Sequence, residues 1–396
     1  MVERPTDDQR IAIHRAKPDQ LHAKPTDFSK LGFGRVFADH FFATEYDRAN
    51  GWHLTRIEPM RLLHIDAAAM CLHYGQEVFE GLKAYRGKDD GIYLFRWQKN
   101  AERLRNSCRR LMMQSVGEAF FGRALKTLVL MEREWIPRDE NSSLYIRPTL
   151  IATDPFLGVR AADEYAFYMI VGPVGAYYRE GFNPVSIWVS DEDVRAVRGG
   201  LGEAKTGANY AHSLCAQDKA SKLGYTQVLW LDAIEHRWVE EVGTMNIFFR
   251  LKNDEVVTPP LAGTILPGVT RDSVLQICRR WGLKTTERMI SIDEVVDGLG
   301  SGEIMEMFGT GTAAVISPVG LLSYKGKEAR VNDNQTGDLA KRLYGYLTRM
   351  QRGQEEDPFG WVERIDGLDV DELAHGPAPG SIRPPTAPSS RPAPSR

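Results

Sequence analysis

The sequence predicts a mixed α/β (α+β) chain of two domains. Its 396 residues exceed what one hydrophobic core ordinarily organises. Strand-like and helix-like apolar runs are interspersed along most of that length. Between two such stretches lies GPVGAYYREGFNP (172–184), rich in Gly, Pro and aromatics and without either hydrophobic period, which reads as an inter-domain connection. The organisation that follows is an N-terminal extension (1–30), a small α/β domain (31–174), a connecting loop (175–184), a larger domain (185–353) and a Pro-rich tail (354–396).

Each part has its own signal. Residues 1–30 are polar and punctuated by proline. In the first half, IYLF (92–95), SLYIR (143–147) and YAFYMIV (165–171) read as strands, and Gln98 to Leu111 reads as a helix. In the second half, VSIWV (185–189), QVLWL (227–231) and NIFFR (246–250) read as strands, with helical stretches near 208–222 and 270–281. Thr270 and Asp272 suit the first turn of the latter helix by capping and by charge against its dipole, so its N-terminus can hold an anion. There is no internal repeat. The stretch from about Gly353 ends in GPAPGSIRPPTAPSSRPAPSR, which lacks the apolar residues that offset ordering entropy, and the tail is expected to be disordered.

Composition narrows the function. Hydrophobic residues make up 42% and charged residues 26%, as in ordinary soluble globular chains. With 50 basic and 53 acidic residues the formal net charge is -3, which gives no field to attract nucleic acid or an anionic membrane; small molecules are the expected partners. The opening MVERPTDDQR has no apolar signal core, and no stretch approaches the roughly 20 apolar residues that span a bilayer, so a cytoplasmic location is expected. Cys71, Cys108, Cys215 and Cys278 are widely spaced without a CxxC pair, which suggests neither a zinc site nor a disulfide framework; no metal is expected.

The densest chemical signal is RGGLGEAKTGANYAHS (198–213), where Lys205 sits among glycines. A lysine is ordinarily a solvated surface charge, but glycines permit positive φ and close approach of a ligand, which argues for a side chain held near backbone. Two readings compete. Gly199 to Thr206 reads GxxxxAKT, one residue from a P-loop, and VLWLD (228–232) imitates a strand ending in a magnesium-binding Asp. Ala204 stands where that loop needs its glycine, and polar DEDVRAVR (191–198) separates it from the upstream strand. The other reading is a lysine that forms a Schiff base, its amine deprotonated to attack an aldehyde.

Three further segments bear on that choice. EEVGTMNIFF (240–249) puts Glu241 before a tight turn containing Thr244; such a carboxylate is either a solvated strand end or a fixed anion able to pair with a pyridinium nitrogen. MFGTGTAAV (307–315) reads as a strand followed by a Gly/Thr turn whose N–H groups, with Thr310 and Thr312, form an anion cradle. LPGVTRDS (266–273) offers a second cradle at Val269 and Thr270. Two anion cradles and one lysine suit a phosphate carried on a cofactor.

These segments, with HYGQEVFEGLKAY (73–85), FRWQKNAERL (95–104), SLYIRP (143–148), GPVGAYY (172–178), AKTGANY (204–210), EVGTMNIF (241–248), LPGVTR (266–271) and FGTGTA (308–313), resemble the branched-chain-amino-acid aminotransferases in order and spacing across roughly residues 30 to 350. That family belongs to the fold-type IV pyridoxal-phosphate enzymes. The resemblance implies a small N-terminal α/β domain, a larger C-terminal pseudo-barrel domain, a homodimer whose substrate pocket is bordered by a neighbouring subunit, and pyridoxal 5'-phosphate as cofactor. It implies ping-pong transamination of leucine, isoleucine and valine with 2-oxoglutarate; D-amino-acid aminotransferase and aminodeoxychorismate lyase share the cofactor apparatus, and the paired SLYIRP and HYGxxxFEG segments favour the branched-chain group.

By position, the resemblance makes Lys205 the Schiff-base lysine and proton shuttle, Glu241 the pyridinium partner, Tyr210 the donor to the ring's phenolic oxygen and Arg103 the main phosphate-binding side chain. Thr244, Val269, Thr270 and Thr312 complete the cofactor set. Tyr145 with the backbone at Thr312 and Ala313 would take the substrate carboxylate, Arg147 would orient, and Phe33, Tyr74 and Phe79 would wall the side-chain pocket. Some members carry a CxxC redox pair after the phosphate loop; here Ala314 and Ser317 stand in its place, so no such thiol switch is expected.

Overall fold

The computed structural model describes residues 9–28, 31–175 and 182–376. Two sheets of nine strands each dominate them. The first holds β1 (Ala12–Ile13), β2 (His40–Asp47), β3 (Gly51–Pro59), β4 (Glu77–Phe79), β5 (Leu82–Arg86), β6 (Ile92–Phe95), β7 (Ser143–Ala152) and β8 (Tyr165–Val174). Its order is β1-β3-β2-β8-β7-β5-β6, with β4 also paired to β7. On β7 the two-residue period is plain. Leu144, Ile146, Leu150 and Ala152 are fully buried on one face, which turns Tyr145 and Arg147 to the other.

Helices α1 (Met70–Tyr74), α2 (Trp97–Arg110) and α3 (Glu118–Met131) belong to this half. Phe120 of α3 meets Phe42 edge-on at 5.9 Å, and Phe42 meets Phe167 of β8 at 6.0 Å. Each such fully buried ring stabilises the core by roughly 1.5 to 3 kcal/mol. The buried stripe of α2 is unusual: it carries Asn100, Arg103 and Ser107 beside Ala101, Leu104 and Cys108. Polar side chains at helical spacing on an inward face need partners, and they find them at the site described below.

The second half adds β9 (Val185–Val189), α4 (Gly207–His212), α5 (Leu214–Lys222), β10 (Gln227–Leu231), β11 (Val239–Val242), β12 (Met245–Leu251), β13 (Val256–Thr258), α6 (Val269–Arg280), β14 (Thr285–Glu287), α7 (Ile292–Ser301), β15 (Ile304–Gly311), β16 (Val315–Tyr324), β17 (Lys327–Arg330) and α8 (Asp338–Met350). The order β11-β10-β9-β16-β15-β12 closes on itself because β11 also pairs with β12, giving a ring of six strands. This is the pseudo-barrel expected of fold-type IV. The closing hairpin needs Gly243 at φ 55°, the left-handed region in which a side chain is strained.

The chain then returns. After α8, β18 (Val362–Arg364) pairs antiparallel with β6 of the first sheet, and α9 (Val370–His375) packs on α3. The expectation of a disordered tail from 354 is therefore corrected for residues 354–376: Ile365 and Ala374 are buried in the first core, and the Ile11 N–H donates to Ala374 O at 2.7 Å. Trp361, Val362, Ile365, Val370 and Leu373 supply apolar area that a reading centred on the terminal prolines passed over. Disorder of residues 377–396 is an expectation that lies outside the described residues, as do positions 176–181 of the connecting loop and the start of the N-terminal extension. The part of that extension near Ile11 is built into the first sheet through β1.

Two local readings also change. Gly172, Pro173 and Val174 continue β8, Pro173 lying opposite Leu144, so the connection starts later than its first glycine. Gly309, Thr310 and Gly311 belong to β15, and the turn is Thr312 to Ala314. Gly309 is small for packing, since a Cβ there would press on Met245 and Val242. Among the described residues no helix is long and apolar enough to cross a membrane.

Candidate active site

Between the two sheets lies a cavity of about 230 Å³. Its walls come from β4, β7, α2, the segment before α4, the β11–β12 hairpin, the start of α6 and the β15–β16 turn. Of the residues expected at the site, Phe33, Phe79, Arg103, Tyr145, Arg147, Lys205, Tyr210, Thr244, Val269, Thr270, Thr312 and Ala313 line it. Tyr74 does not. It stands 42% exposed on α1, and its hydroxyl donates to Leu157 O. Glu241 sits one layer behind the wall.

Lys205 is held from several sides. Its N–H donates to Ser107 Oγ at 2.9 Å, and its carbonyl accepts from the Phe79 N–H at 3.0 Å. Its Nζ donates to the Tyr210 hydroxyl at 2.6 Å and lies 4.8 Å from the Phe79 ring centre. The next turn is clamped too, because the Gly207 N–H donates to Glu77, whose carboxylate fills the place a Cβ would take. A P-loop would leave its N–H groups free for phosphate; here those of Ala204, Lys205 and Gly207 are all spent on protein acceptors.

Across the cavity is a set of anion donors. Helix α6 begins at Gly268 and Val269 without any side-chain cap, so its first N–H groups face the cavity with the positive end of the helix dipole. Gly268 is required there, since a Cβ would collide with Asn246. Arg103 is aimed at the same end by Glu80, which accepts its Nε at 2.7 Å and its Nη2 at 2.9 Å, while Nη1 donates to Pro267 O at 3.1 Å. Glu80 is fully buried, and burial is the largest influence, raising its pKa; the charge and hydrogen bonds of Arg103, with Lys205 and Asn100, together outweigh it and hold the carboxyl below the ordinary range. Thr310 Oγ1 is buried without a partner at the same wall.

Glu241 forms a third group. Its Oε1 accepts from Asn246 Nδ2 at 2.9 Å and from the Leu266 N–H at 3.1 Å, and its Oε2 lies 2.7 Å from Arg195 Nε. Burial raises its pKa to about 7, with Arg195 pulling the other way. On the opposite side Tyr145 accepts from Arg147 Nη2 at 3.0 Å and packs edge-on against Phe33 at 4.7 Å. Those three residues also wall a largely apolar annex of about 160 Å³ that adds Val36, Phe37, Ile170 and Val171. An amine and a set of anion donors thus line one cleft, with an apolar annex beside it and a buried carboxylate behind its wall.

Comparison with known proteins agrees with that inventory. Residues 77–322 match the family model for class IV amino-transferases. The chain is 51% identical over 342 residues to branched-chain-amino-acid aminotransferase 2 of Bacillus subtilis (strain 168), covering 86% of this chain and 94% of that one. It is 45% identical over 339 residues to the branched-chain-amino-acid aminotransferase of Mycolicibacterium smegmatis, covering 85% and 92%. The chain belongs to the branched-chain-amino-acid aminotransferase family. Its fold matches the Escherichia coli branched-chain amino acid aminotransferase at a TM-score of 0.68 and 25% identity, covering 83% of this chain and 99% of the other. A T.th. branched-chain amino acid aminotransferase solved with pyridoxamine 5'-phosphate gives a TM-score of 0.70 at 25% identity, covering 84% and 100%.

Four residues of this family member escaped the sequence reading. Arg195 lay in a polar run taken as a spacer, Glu80 and Asn246 sat inside recognised segments without a role, and Lys83 looked like any strand lysine. The signal available for Glu80 was the polar stripe of α2, which called for an acidic partner. Ala314 and Ser317 carry no thiol, and Cys108 and Cys278 are buried free thiols, each pushed up to about 12 by burial.

Proposed function

We propose that the protein transaminates leucine, isoleucine and valine with 2-oxoglutarate, giving branched 2-oxo acids and L-glutamate in two alternating half-reactions, with pyridoxal 5'-phosphate as cofactor. The observation that carries this is the Lys205 amine in the same cavity as Arg103 and the uncapped start of α6. Arg103, the N–H groups at Val269 and Thr270, and Thr312 would hold the phosphate; the otherwise unpartnered Thr310 hydroxyl fits an additional acceptor there. Lys205 would anchor the cofactor covalently, with Glu241 toward its ring nitrogen and Tyr210 toward its phenolic oxygen. When bound, the cofactor supplies an electron sink for the substrate's α-carbon.

The chain's own groups divide the remaining work. Lys205 Nζ, set by the Tyr210 hydroxyl, takes and returns the proton at the substrate α-carbon. Tyr145, ordered by Arg147, and the backbone of Thr312 and Ala313 receive the α-carboxylate. The apolar annex takes the aliphatic side chain and keeps water from it. Because one methylene changes binding by only about 1 to 3 kcal/mol, the three branched substrates are turned over within a modest range of one another.

We also propose a homodimer. Leu72, Phe156, Leu157 and Val159 are 58%, 43%, 61% and 87% exposed around Tyr74, an apolar surface that a second copy would cover. Tyr74 then serves a wall outside its own chain's cavity.

The test is an amino-donor panel of Leu, Ile, Val, D-Ala and aminodeoxychorismate, with 2-oxoglutarate as acceptor and initial velocities at several acceptor concentrations. Parallel double-reciprocal lines with the three branched L-amino acids are expected. Activity confined to D-Ala or to aminodeoxychorismate would replace the reading with the corresponding fold-type IV enzyme. Borohydride should fix the yellow chromophore to the peptide containing Lys205.

A further inference from the structure

A second cavity, of about 390 Å³, shares Ala313 and Ala314 with the first but does not reach Lys205. Two cations line it. Lys83 of β5 and Arg352, just beyond α8, are 8% and 5% exposed. Lys83 Nζ donates to Ala313 O at 2.9 Å; Arg352 donates to Arg86 O at 3.1 Å and to Glu140 O and Ser142 O, each at 2.7 Å. All these acceptors are neutral carbonyls. Among the described residues neither cation has a carboxylate partner at ion-pair distance. Of the two carboxylates at the cavity's edge, Glu140 turns to Lys88 at 3.1 Å and Asp139 accepts from the Asn141 N–H at 2.6 Å. Burial and repulsion from Arg352 push Lys83 down to about 8.

Buried charge in proteins is ordinarily paired, because desolvation is otherwise uncompensated. The same cavity also leaves Ser142 Oγ, Ser317 Oγ and Gln351 Oε1 buried without a hydrogen-bond partner, at 1%, 2% and 5% exposure. Two hydroxyls and a side-chain amide, whose O and N are interchangeable by a flip, give neutral donors around the two cations. Apolar walls come from Tyr85 and from the stacked pair Phe182 and Tyr344, whose ring centres are 4.1 Å apart. A cavity of this volume, with two cations and three aromatic rings in its walls, exceeds the needs of an inorganic ion.

We propose that this cavity binds a small organic acid, its carboxylate held between Lys83 and Arg352 and its body against Tyr85 and Tyr344. The Lys83 ammonium has three donors, one of which already holds Ala313 O, so an occupant shares the group that positions the Thr312–Ala314 turn. Lys83, Arg352, Tyr85 and Tyr344 lie outside the lining of the first cavity, so binding here can be measured apart from the reaction assigned there.

The holoenzyme, titrated with benzoate at constant ionic strength and followed by calorimetry and by thermal denaturation, tests this. One benzoate per chain is expected, with a saturable rise in melting temperature. Lys83→Met should weaken binding at least about tenfold, the loss of one charge-assisted contact, and Ser142→Ala with Ser317→Ala should weaken it severalfold. Tyr145→Phe, in the first cavity, should leave it unchanged. If Lys83→Met fails to fold, the serine pair carries the test. Absence of saturable binding, full affinity in the serine pair or in a folded Lys83→Met, or loss in Tyr145→Phe alone overturns the site. Tighter binding of inorganic phosphate than of benzoate overturns the organic-acid assignment.

Discussion

Arg195 Nε lies 2.7 Å from Glu241 Oε2, both side chains being almost wholly buried behind the cavity wall. The N–H is not directed along that line as a hydrogen bond, so the attraction is chiefly one of charge. The carboxylate should therefore make stability depend on pH. Its pKa is raised to about 7 in the folded protein, against an ordinary value of 4.5. As pH rises between those values the unfolded chain releases its proton first, so the group's contribution to stability falls across that window and is flat outside it. In cofactor-free protein, urea denaturation at pH 5 and pH 8 should show a smaller loss for Glu241→Gln than for the parent. An equal loss would mean that Glu241 does not titrate there.

Removing the other partner has a different signature. Arg195→Met leaves Glu241 buried without its counter-charge, which costs roughly 3 kcal/mol where the anion persists. The melting temperature should fall, and the loss should be greater at pH 8 than at pH 5, where the carboxyl can take up a proton. A uniform loss at both pH values would point to packing alone.

Lys205→Ala should reduce transamination by at least about 1000-fold, within the range for removing a positioned acid/base group. Cofactor absorbance should also move on substitution, since the amine bonded to Tyr210 at 2.6 Å is gone. Turnover close to that of the parent would remove Lys205 from the mechanism.

Glu80→Gln keeps the shape beneath Arg103 but discards its charge and one acceptor oxygen. Cofactor should dissociate about tenfold faster or more on dialysis, the effect of losing one charge-assisted hydrogen bond in an aiming pair. The maximal rate at saturating cofactor should change little. A large fall in that rate with retention unaltered would place Glu80 in the chemistry instead of in positioning.

Val159→Asp introduces a charge at a residue 87% exposed in the chain and flanked by Leu157 and Phe156. If the proposed dimer forms through this surface, sedimentation should show a shift from dimer to monomer, with activity falling in parallel. A monomeric parent protein would rule out that use of the surface.

Lys205 and the start of α6 were legible because glycine spacing and a helix-start pattern are local codes, whereas Arg103 followed only from the family resemblance, since one arginine on a helix carries no such code. β9 and β10 were legible because VSIWV and QVLWL are short β-branched and aromatic-rich runs with one polar residue in five, bounded by polar segments. Arg195 and Glu80 were not, because a charged residue in a polar run looks solvated until a partner far along the chain is placed beside it. Closure of the six-strand ring depends on pairing β11 with β12 while both also pair elsewhere, which no periodicity records. The ordered part of the tail was hidden by its neighbours: prolines and serines dominate the last residues, while Ile365 and Ala374 bury against a core assembled far earlier in the chain.

The return of the chain through Arg352 to β18 has a mechanical meaning. Residues 175–184 join the two halves once, and the passage after α8, pinned by Arg352 to carbonyls of the first half, joins them again. Between these two crossings the halves also clasp each other directly: Arg96 reaches Ser273 at 2.7 Å, Arg103 reaches Pro267 O at 3.1 Å and Lys83 reaches Ala313 O at 2.9 Å. The walls of the cleft that holds Lys205 are thus braced across the gap as well as along the chain, so a substitution in one half is felt in the other.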